Sequence, residues 1–366
     1  MRAVLIAVLS LHGCIHLMGF AKAFGWMELP QLSAPIGKAQ GLAWLFAGLI
    51  TLVCILLPPR AFWLVGALAA VLSQVLIFSA WHDAKFGTLA NVIVLLAAAY
   101  ALLSAGPPSF AHAYAKESAA ALDRSQLRSD VITEADLAAL PPPVQRYLRV
   151  TGTLGQPRVS NLRARWRGRI RDSADGPWMS FEAEQLNTLY PQPERLFFMQ
   201  ATMKGLPVDV YHRFVGAAAT FRVRVLSALQ VTSADGPAMN RSETVTILND
   251  LCLLAPSALL DPHLHWESST EDSAHVRFDR GDETIRAELR FNAAGELIDF
   301  ISDDRARAAA DGKTFEPLRW STPFTTYQTV GARRLFARGD ALWHPPEGAY
   351  AYGDFQLVSI EYNVAR

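Results

Sequence analysis

The sequence predicts a four-helix transmembrane bundle followed by an α+β domain, a large curved antiparallel sheet with one helix packed against it. Three observations carry this prediction. Seven charged residues, Arg2, Lys22, Glu28, Lys38, Arg60, Asp83 and Lys85, precede position 107, whereas 61 follow it. From Val159 onward apolar residues recur at every second position, the period of half-buried strands. One segment, Ser242–Leu254, interrupts that period with helical spacing. These shifts divide the chain into a bundle (1–106), a stalk and Pro-rich helical connector (107–152) and a β-rich domain (153–366).

A helix needs roughly 20 apolar residues to cross a hydrocarbon core of about 30 Å. Four runs meet this: Ala3–Ala23, Gly41–Leu57, Ala61–Ala80 and Thr88–Ala105. Pro58 and Pro59 stop the second, because proline cannot continue a helical hydrogen-bond ladder. Gly106, Pro107 and Pro108 stop the fourth. The first run is too long for the apolar core of a secretory signal and three more follow it, so it reads as a retained helix. Four spans put both ends of the bundle on one side. Lys22, Lys38 and Lys85 lie in the first and third loops, against Arg2 and Arg60 on the other side. That margin puts loops one and three in the cytoplasm and the β-rich domain on the outer, periplasmic face of a bacterial cytoplasmic membrane. His12 and His16 are one helical turn apart and share a face. They are the candidate metal or haem pair, with His82 as a third ligand; the other reading is hydrogen bonding between helices. Gln74 and Asn91 fit the second role. The histidine-bearing first helix, the Gly37-Lys38 turn and the small-residue-rich spans resemble the DoxX-like four-helix membrane proteins.

In the connector, Thr133 followed by Asp136 predicts the capped start of a short helix. Leu137, Leu140, Val144, Tyr147 and Leu148 keep helical spacing across Pro141-Pro142-Pro143, so the prolines split it in two, with Pro143 able to begin the second piece. Gly152 suits its end. The string LPPPVQRYLRVTG from Leu140 to Gly152, the Pro177–Phe181 and Trp320–Phe324 segments, and the closing Ile360–Asn363 together are similar to an uncharacterised bacterial family with a domain of unknown function. That resemblance implies no activity.

In the β-rich domain, Leu162, Ala164, Trp166, Gly168 and Ile170 alternate with Arg163, Arg165, Arg167, Arg169 and Arg171. One strand face is apolar and the other is a ladder of five arginines. Glu182 and Glu184 would counter it if the 172–178 turn makes a hairpin; otherwise the ladder is a contact surface for an anionic partner such as lipid headgroups. Residues 221–225, 274–279 and 285–291 alternate in the same way, with turns at 279–282 and 292–295. In the helix, Val245, Leu248, Leu251, Cys252 and Ala255 fall on one side. The strand–turn–strand runs and the Trp/Tyr-rich closing meander resemble the half-barrel of LolA- and LppX-type lipid carriers. That resemblance implies an apolar cavity between sheet and helix, for which Trp166, Trp178, Trp320, Tyr327 and Trp343 are the candidate ligand-binding residues.

Composition excludes some classes. Residues 107–366 carry 29 basic and 32 acidic side chains, a balance unsuited to a nucleic-acid backbone. Three cysteines, one of them in the β-rich domain, make no disulfide framework. The signatures of nucleotide binding, zinc peptidases, serine hydrolases and CxxC redox sites are absent, so the sequence assigns no catalytic residue and no cofactor. His263 and His265 are two ligands where a metal site needs more. The expected partners are the bilayer and a lipid or other apolar small molecule. The expected function is that of a membrane-anchored protein whose β-rich domain binds such a ligand. An enzyme acting on membrane-derived substrates and an interaction module at the membrane are the alternatives. Oligomeric state is not set by the sequence.

Overall fold

The computed structural model describes residues 2–309 and 311–365. The chain forms two compact units, Met1–Ala113 and Tyr114–Arg366.

In the first unit, α1 (Arg2–Ala23), α2 (Lys38–Val53), α3 (Pro59–Ser79) and α5 (Gly87–Ala105) follow the four apolar runs, with a single turn, α4 (Trp81–Ala84), before α5. Pro58 stands at the N-cap of α3 and Pro59 in its first turn, where a missing N–H costs nothing. All four spans are long and apolar enough to cross a membrane. Burial is inverted relative to a water-soluble bundle. Leu11, Leu68 and Leu96 are exposed, while His12, His16, Ser73 and Asn91 are buried. The glycines allow this close packing: a Cβ on Gly48 of α2 would stand 3.0 Å from the Gly13 carbonyl oxygen of α1.

The second unit begins in α6 (Phe110–Arg124) and continues through α7 (Glu134–Leu137) and α8 (Pro142–Val150). The Thr133 backbone N–H donates to Asp136 Oδ2 at 2.8 Å, so the expected capping arrangement forms. Gly152, at φ +65°, ends the α8 segment in the left-handed region. The expected split at the prolines occurs, with Pro142 as first helical residue.

Sixteen strands follow among the described residues: β1 (Asn161–Ile170), β2 (Met179–Thr188), β3 (Glu194–Met203), β4 (Leu206–Val215), β5 (Ala218–Val225), β6 (Leu229–Ala234), β7 (Leu264–Ser269), β8 (Ser273–Arg280), β9 (Glu283–Phe291), β10 (Leu297–Ser302), β11 (Ala306–Ala308), β12 (Phe315–Pro317), β13 (Arg319–Ser321), β14 (Phe324–Val330), β15 (Arg333–His344) and β16 (Tyr350–Tyr362). Fourteen form one sheet, ordered β6-β5-β4-β3-β2-β1-β16-β15-β13-β10-β9-β8-β7, with β14 beside β15. Every pairing in it is antiparallel. The middle of the sheet joins distant parts of the chain, with Leu162 of β1 opposite Tyr362 of β16. Two arms run outward from there, one to β6 and the other to β7.

Helix α9 (Pro237–Leu254) connects these two edge strands and lies against both arms, on β5 and on β9, β10 and β15. The sheet is therefore curved around it. Every residue from Ser242 to Leu254 is buried. The sequence predicted this helix with one apolar side. It starts earlier, at Pro237, and has no exposed side after Ser242, because the two sheet arms close on opposite flanks.

Asp299 on β10 stands opposite Arg290 of β9, yet its Oδ1 has no hydrogen-bond partner among the described residues. Burial pushes its carboxyl up to about 6, against an ordinary 3.8. The folded chain therefore favours the protonated acid. This group's contribution to stability falls as pH rises from about 4 to about 6 and is level above that. Asp299→Asn is expected to stabilise the protein by on the order of 1 kcal/mol at pH 7 and not at pH 3.5. Urea midpoints at the two pH values check this; an equal gain at both would show that the charge is not the cause.

Candidate functional site

Between α9 and the first sheet arm lies a cluster of buried charges. Glu243 and Asp250 are seven residues apart, two helical turns, so both carboxylates leave α9 on one face. Arg195 on β3 stands between them, donating from Nε to Asp250 Oδ2 at 2.8 Å and from Nη1 to Glu243 Oε2 at 3.4 Å. Gln185 and Asn187, inward residues of β2, donate their amides to the same Asp250 oxygen at 2.7 and 2.9 Å. On the other carboxylate, Glu243 Oε1 accepts from the Thr246 hydroxyl at 3.2 Å. It has His212 Nδ1 of β4 at 3.5 Å and Arg305 Nη2 at 3.8 Å.

An isolated buried charge is very costly, so such groups occur paired and hydrogen-bonded. The two carboxyls nonetheless differ. Burial alone would raise Glu243, but His212, Arg195 and Arg305 outweigh it and hold the group below the ordinary carboxylate range. Asp250 stays raised, because burial exceeds what Arg195 and Asn187 return. Burial lowers His212 as well, against the pull of Glu243, so the permanent cations facing Glu243 are the two guanidiniums. Apolar rings enclose these groups. The Arg195 guanidinium lies 4.8 Å from the Phe197 ring centre, the His212 ring 4.3 Å from Phe221, and the Arg305 guanidinium 4.2 Å from Trp320.

The far end of α9 is held from outside the helix. The last carbonyls of any helix lack intrahelical donors. Here the Tyr147 hydroxyl of α8 donates to the Cys252 carbonyl at 2.8 Å, and the Tyr362 hydroxyl of β16 donates to the Leu254 carbonyl at 2.6 Å. Burial raises both phenols far above neutral pH, so both remain donors. Thr322 Oγ1 accepts from Asn249 Nδ2 at 2.7 Å. Tyr147, Thr322 and Tyr362 come from three of the sequence segments noted above, and each grips α9.

The structure distributes the predicted ligand-binding aromatics over several places. Trp320 and Trp343 flank Arg305, and Trp343 stacks on Tyr352. Trp166 is buried against Phe336 and donates to Gln185 Oε1 at 2.9 Å, so it supports the Asp250 side of the cluster. Tyr327 donates to the Leu297 carbonyl at 2.7 Å. Trp178 stacks on Arg169 and Arg171.

The arginine ladder faces outward and has acidic and amide partners. Arg165 and Arg167 lie opposite Glu184 and Glu182 in the β1–β2 register. Arg167 donates to Gln356 at 2.9 Å, and Arg169 shares Asp354 with Arg338. Arg171 donates to the Ala351 carbonyl at 2.7 Å. Arg163 lies opposite Leu186 of β2 and Glu361 of β16. Around Arg167, Arg169 and Arg338 the outer face forms an open groove of about 570 Å3, which also contains Glu182 and Asp354.

His12 and His16 both turn Nε2 to the Ser73 hydroxyl, at 3.0 and 2.9 Å. His263 and His265 pair with Asp261 and Asp279. Among the described residues no group of three or more His, Cys, Asp or Glu is placed to hold a metal ion.

Sequence reasoning missed Arg195, His212, Glu243, Asp250 and Arg305. The signal was present in part. Glu243, Thr246 and Asp250 recur at intervals of three and four, a polar stripe on the helix read as apolar on one side. Arg195 and His212 sit on strands and Arg305 on the connection from β10 to β11, all far away in sequence, and only the folded sheet brings them to that stripe.

No curated protein matches the chain. Among solved structures it is similar to a domain of Vibrio parahaemolyticus described as an outer membrane lipoprotein-sorting protein, at 11% identity and a TM-score of 0.32, covering 57% of this chain and 87% of that one. A DUF1329 family protein of Desulfovibrio piger gives 9% identity and a TM-score of 0.34, covering 57% and 88%. A LolA superfamily protein of Nitrosomonas europaea gives 7% and 0.28, covering 61% and 93%. A family profile matches residues 130–355, more than half of the chain and nearly all of the sheet, and the chain therefore belongs to DUF6544, a family of unknown function.

Proposed function

We propose that the protein is held in a membrane by its four apolar helices and that its sheet unit binds an anionic amphiphile in the space occupied by α9. One observation carries the reading. Two guanidiniums, Arg195 and Arg305, and the imidazole of His212 face inward within a shell of Phe197, Phe221 and Trp320, around the carboxylate of Glu243, with Asp250 on the other side of Arg195. Cations enclosed by apolar rings suit a molecule with a charged head and an apolar body. Glu243 then stands where the ligand's head would sit, and α9 is the element that yields.

Full-length protein in detergent micelles is titrated with 11-(dansylamino)undecanoic acid. A saturable rise in dansyl emission is expected, weakened about tenfold by Arg305→Gln, the effect of one charge-assisted hydrogen bond. Before extraction, the protein should stay with the membrane fraction after a carbonate wash. Absence of saturable binding, or binding indifferent to Arg305→Gln, would sink the amphiphile reading; release by carbonate would sink the anchoring.

A further inference from the structure

The helical unit contains a separate cavity of about 420 Å3, within the size range of small-molecule sites. Its walls come from α1, α2, α3, α5 and the loop around Ala34. They are apolar except for His12, His16, Trp44 and Asp83. Leu11, Ile15, Phe86 and Leu89 line it and are also exposed, so its rim belongs to the apolar exterior of the helices.

Two side chains of this wall, His16 and Trp44, each carry a nitrogen with no protein partner among the described residues. His16 is 1% exposed and Trp44 is 5% exposed. His16 Nδ1 and Trp44 Nε1 are both fully buried and make no hydrogen bond among the described residues. The two rings are neighbours, 5.0 Å between centres. A buried polar group without a bond costs about 1–3 kcal/mol, so two at one cavity call for an explanation.

The hydrogen-bond network fixes what these atoms want. Asn91 Nδ2 donates to Gln74 Oε1 at 3.0 Å, so its oxygen faces His12. His12 Nε2 must then carry the proton it gives to Asn91 Oδ1 at 3.0 Å. With that N–H shared with Ser73 Oγ, the assignment that satisfies the network gives the Ser73 hydroxyl proton to His16 Nε2 at 2.9 Å. A neutral imidazole with an accepting Nε2 carries its proton on Nδ1. Indole nitrogen is a donor only. Both orphan atoms are therefore N–H donors, and they require an acceptor.

The charge of the acceptor follows from the rest of the wall. No Lys or Arg lines the cavity, and Asp83 does. The Ala34 backbone N–H and the Ser33 hydroxyl hold the Asp83 carboxyl down to about 2, so it is an anion. A second anion here would be desolvated, unpaired and repelled.

We infer that this cavity binds an uncharged apolar molecule through a carbonyl oxygen that accepts from His16 Nδ1 and Trp44 Nε1, and that the molecule enters across the apolar rim between α1 and α5. Quinone and acyl-ester carbonyls share this chemistry. The site is independent of the sheet unit and of the ligand proposed for it.

The test titrates full-length protein in detergent and follows tryptophan fluorescence. Decyl-1,4-benzoquinone and methyl 12-bromododecanoate, both quenchers, are the carbonyl probes. The controls are 1-bromododecane, which lacks an acceptor, and 12-bromododecanoic acid at pH 8, which is charged. Saturable quenching by at least one carbonyl probe is expected, about tenfold tighter than by either control, and the stronger of the two identifies the source. His16→Phe should weaken it about tenfold, and Ala90→Phe, which fills the cavity from one of the two lining alanines, Ala84 and Ala90, nearest Phe86 in sequence, should abolish it while leaving dansylundecanoate binding unchanged. Ala84→Leu serves if Ala90→Phe does not fold. Equal quenching by bromododecane or by the acid, no saturation by either carbonyl probe, or indifference to the cavity-filling variants would each overturn the inference.

Discussion

Arg195→Met is expected to destabilise the sheet unit by about 3–5 kcal/mol, because it leaves two buried carboxylates short of their shared cation. Arg195 is 7% exposed and Glu243 1% exposed, so water cannot take over the lost contacts without opening the packing around α9. Asp250 keeps the amides of Gln185 and Asn187, and Glu243 keeps Arg305, His212 and Thr246. Equilibrium urea unfolding of the full-length protein, followed by a signal of the sheet unit, measures the loss. A change below 1 kcal/mol would mean that the carboxylates are hydrated and the cluster is not closed. Acid sharpens the comparison. Glu243 titrates below its ordinary 4.5 in the folded chain, so its contribution is present at neutral pH and fades as pH falls below that value. Without Arg195 the carboxyl has less reason to remain ionised, and the variant should lose less on acidification. The gap between the two proteins is therefore expected to narrow as pH falls below 4.5.

Removing the hydroxyls of Tyr147 and Tyr362 together is expected to cost about 2–6 kcal/mol, roughly 1–3 for each buried acceptor left without a donor. The Cys252 and Leu254 carbonyls belong to the last turn of a helix with no exposed flank, so solvent cannot replace the phenols without a local opening. Phenylalanine keeps the ring packing and isolates the hydrogen bonds. The two single variants and the double form a cycle, since the hydroxyls serve one helix end from different elements. Hydrogen exchange of the α9 amides should rise with the loss of stability. A double variant within 0.5 kcal/mol of the parent would show that the helix end does not depend on these donors.

These two effects also show which parts of the molecule were legible in the sequence. The four apolar helices were, since length and the absence of charge are local properties. So were β1, β2 and the hairpin between them, because Arg165, Arg167, Glu182 and Glu184 alternate with apolar residues on adjacent stretches. The capped start of α7 was readable from Thr133 and Asp136 alone. The full burial of α9 was not. Its surroundings come from β5 on one side and β9, β10 and β15 on the other, and nothing within Ser242–Leu254 announces that two sheet arms will meet there. The buried cluster was hidden for the same reason. Arg195 and His212 look like ordinary surface residues of alternating strands, and Arg305 like a loop residue, until the curvature turns them inward. The network around Ser73, which ties His12 and His16 to Asn91 and Gln74, likewise depends on three helices at once.

The pairing of β1 with β16 has a consequence for how the domain is made. β1 is synthesised first among the strands and β16 after all the others, yet they are neighbours at the centre of the sheet. The arm from β1 to β6 is a run of adjacent hairpins and can form while translation continues. Throughout that time the other side of β1 is an open strand edge, the kind that recruits stray chains. On that edge Arg163, Arg165, Arg167 and Arg169 present charge at every second residue. Within that half-sheet Glu184 and Glu182 already face Arg165 and Arg167, so it is Arg163 and Arg169 that keep charge on the edge until β16 arrives with Asp354 beside Arg169.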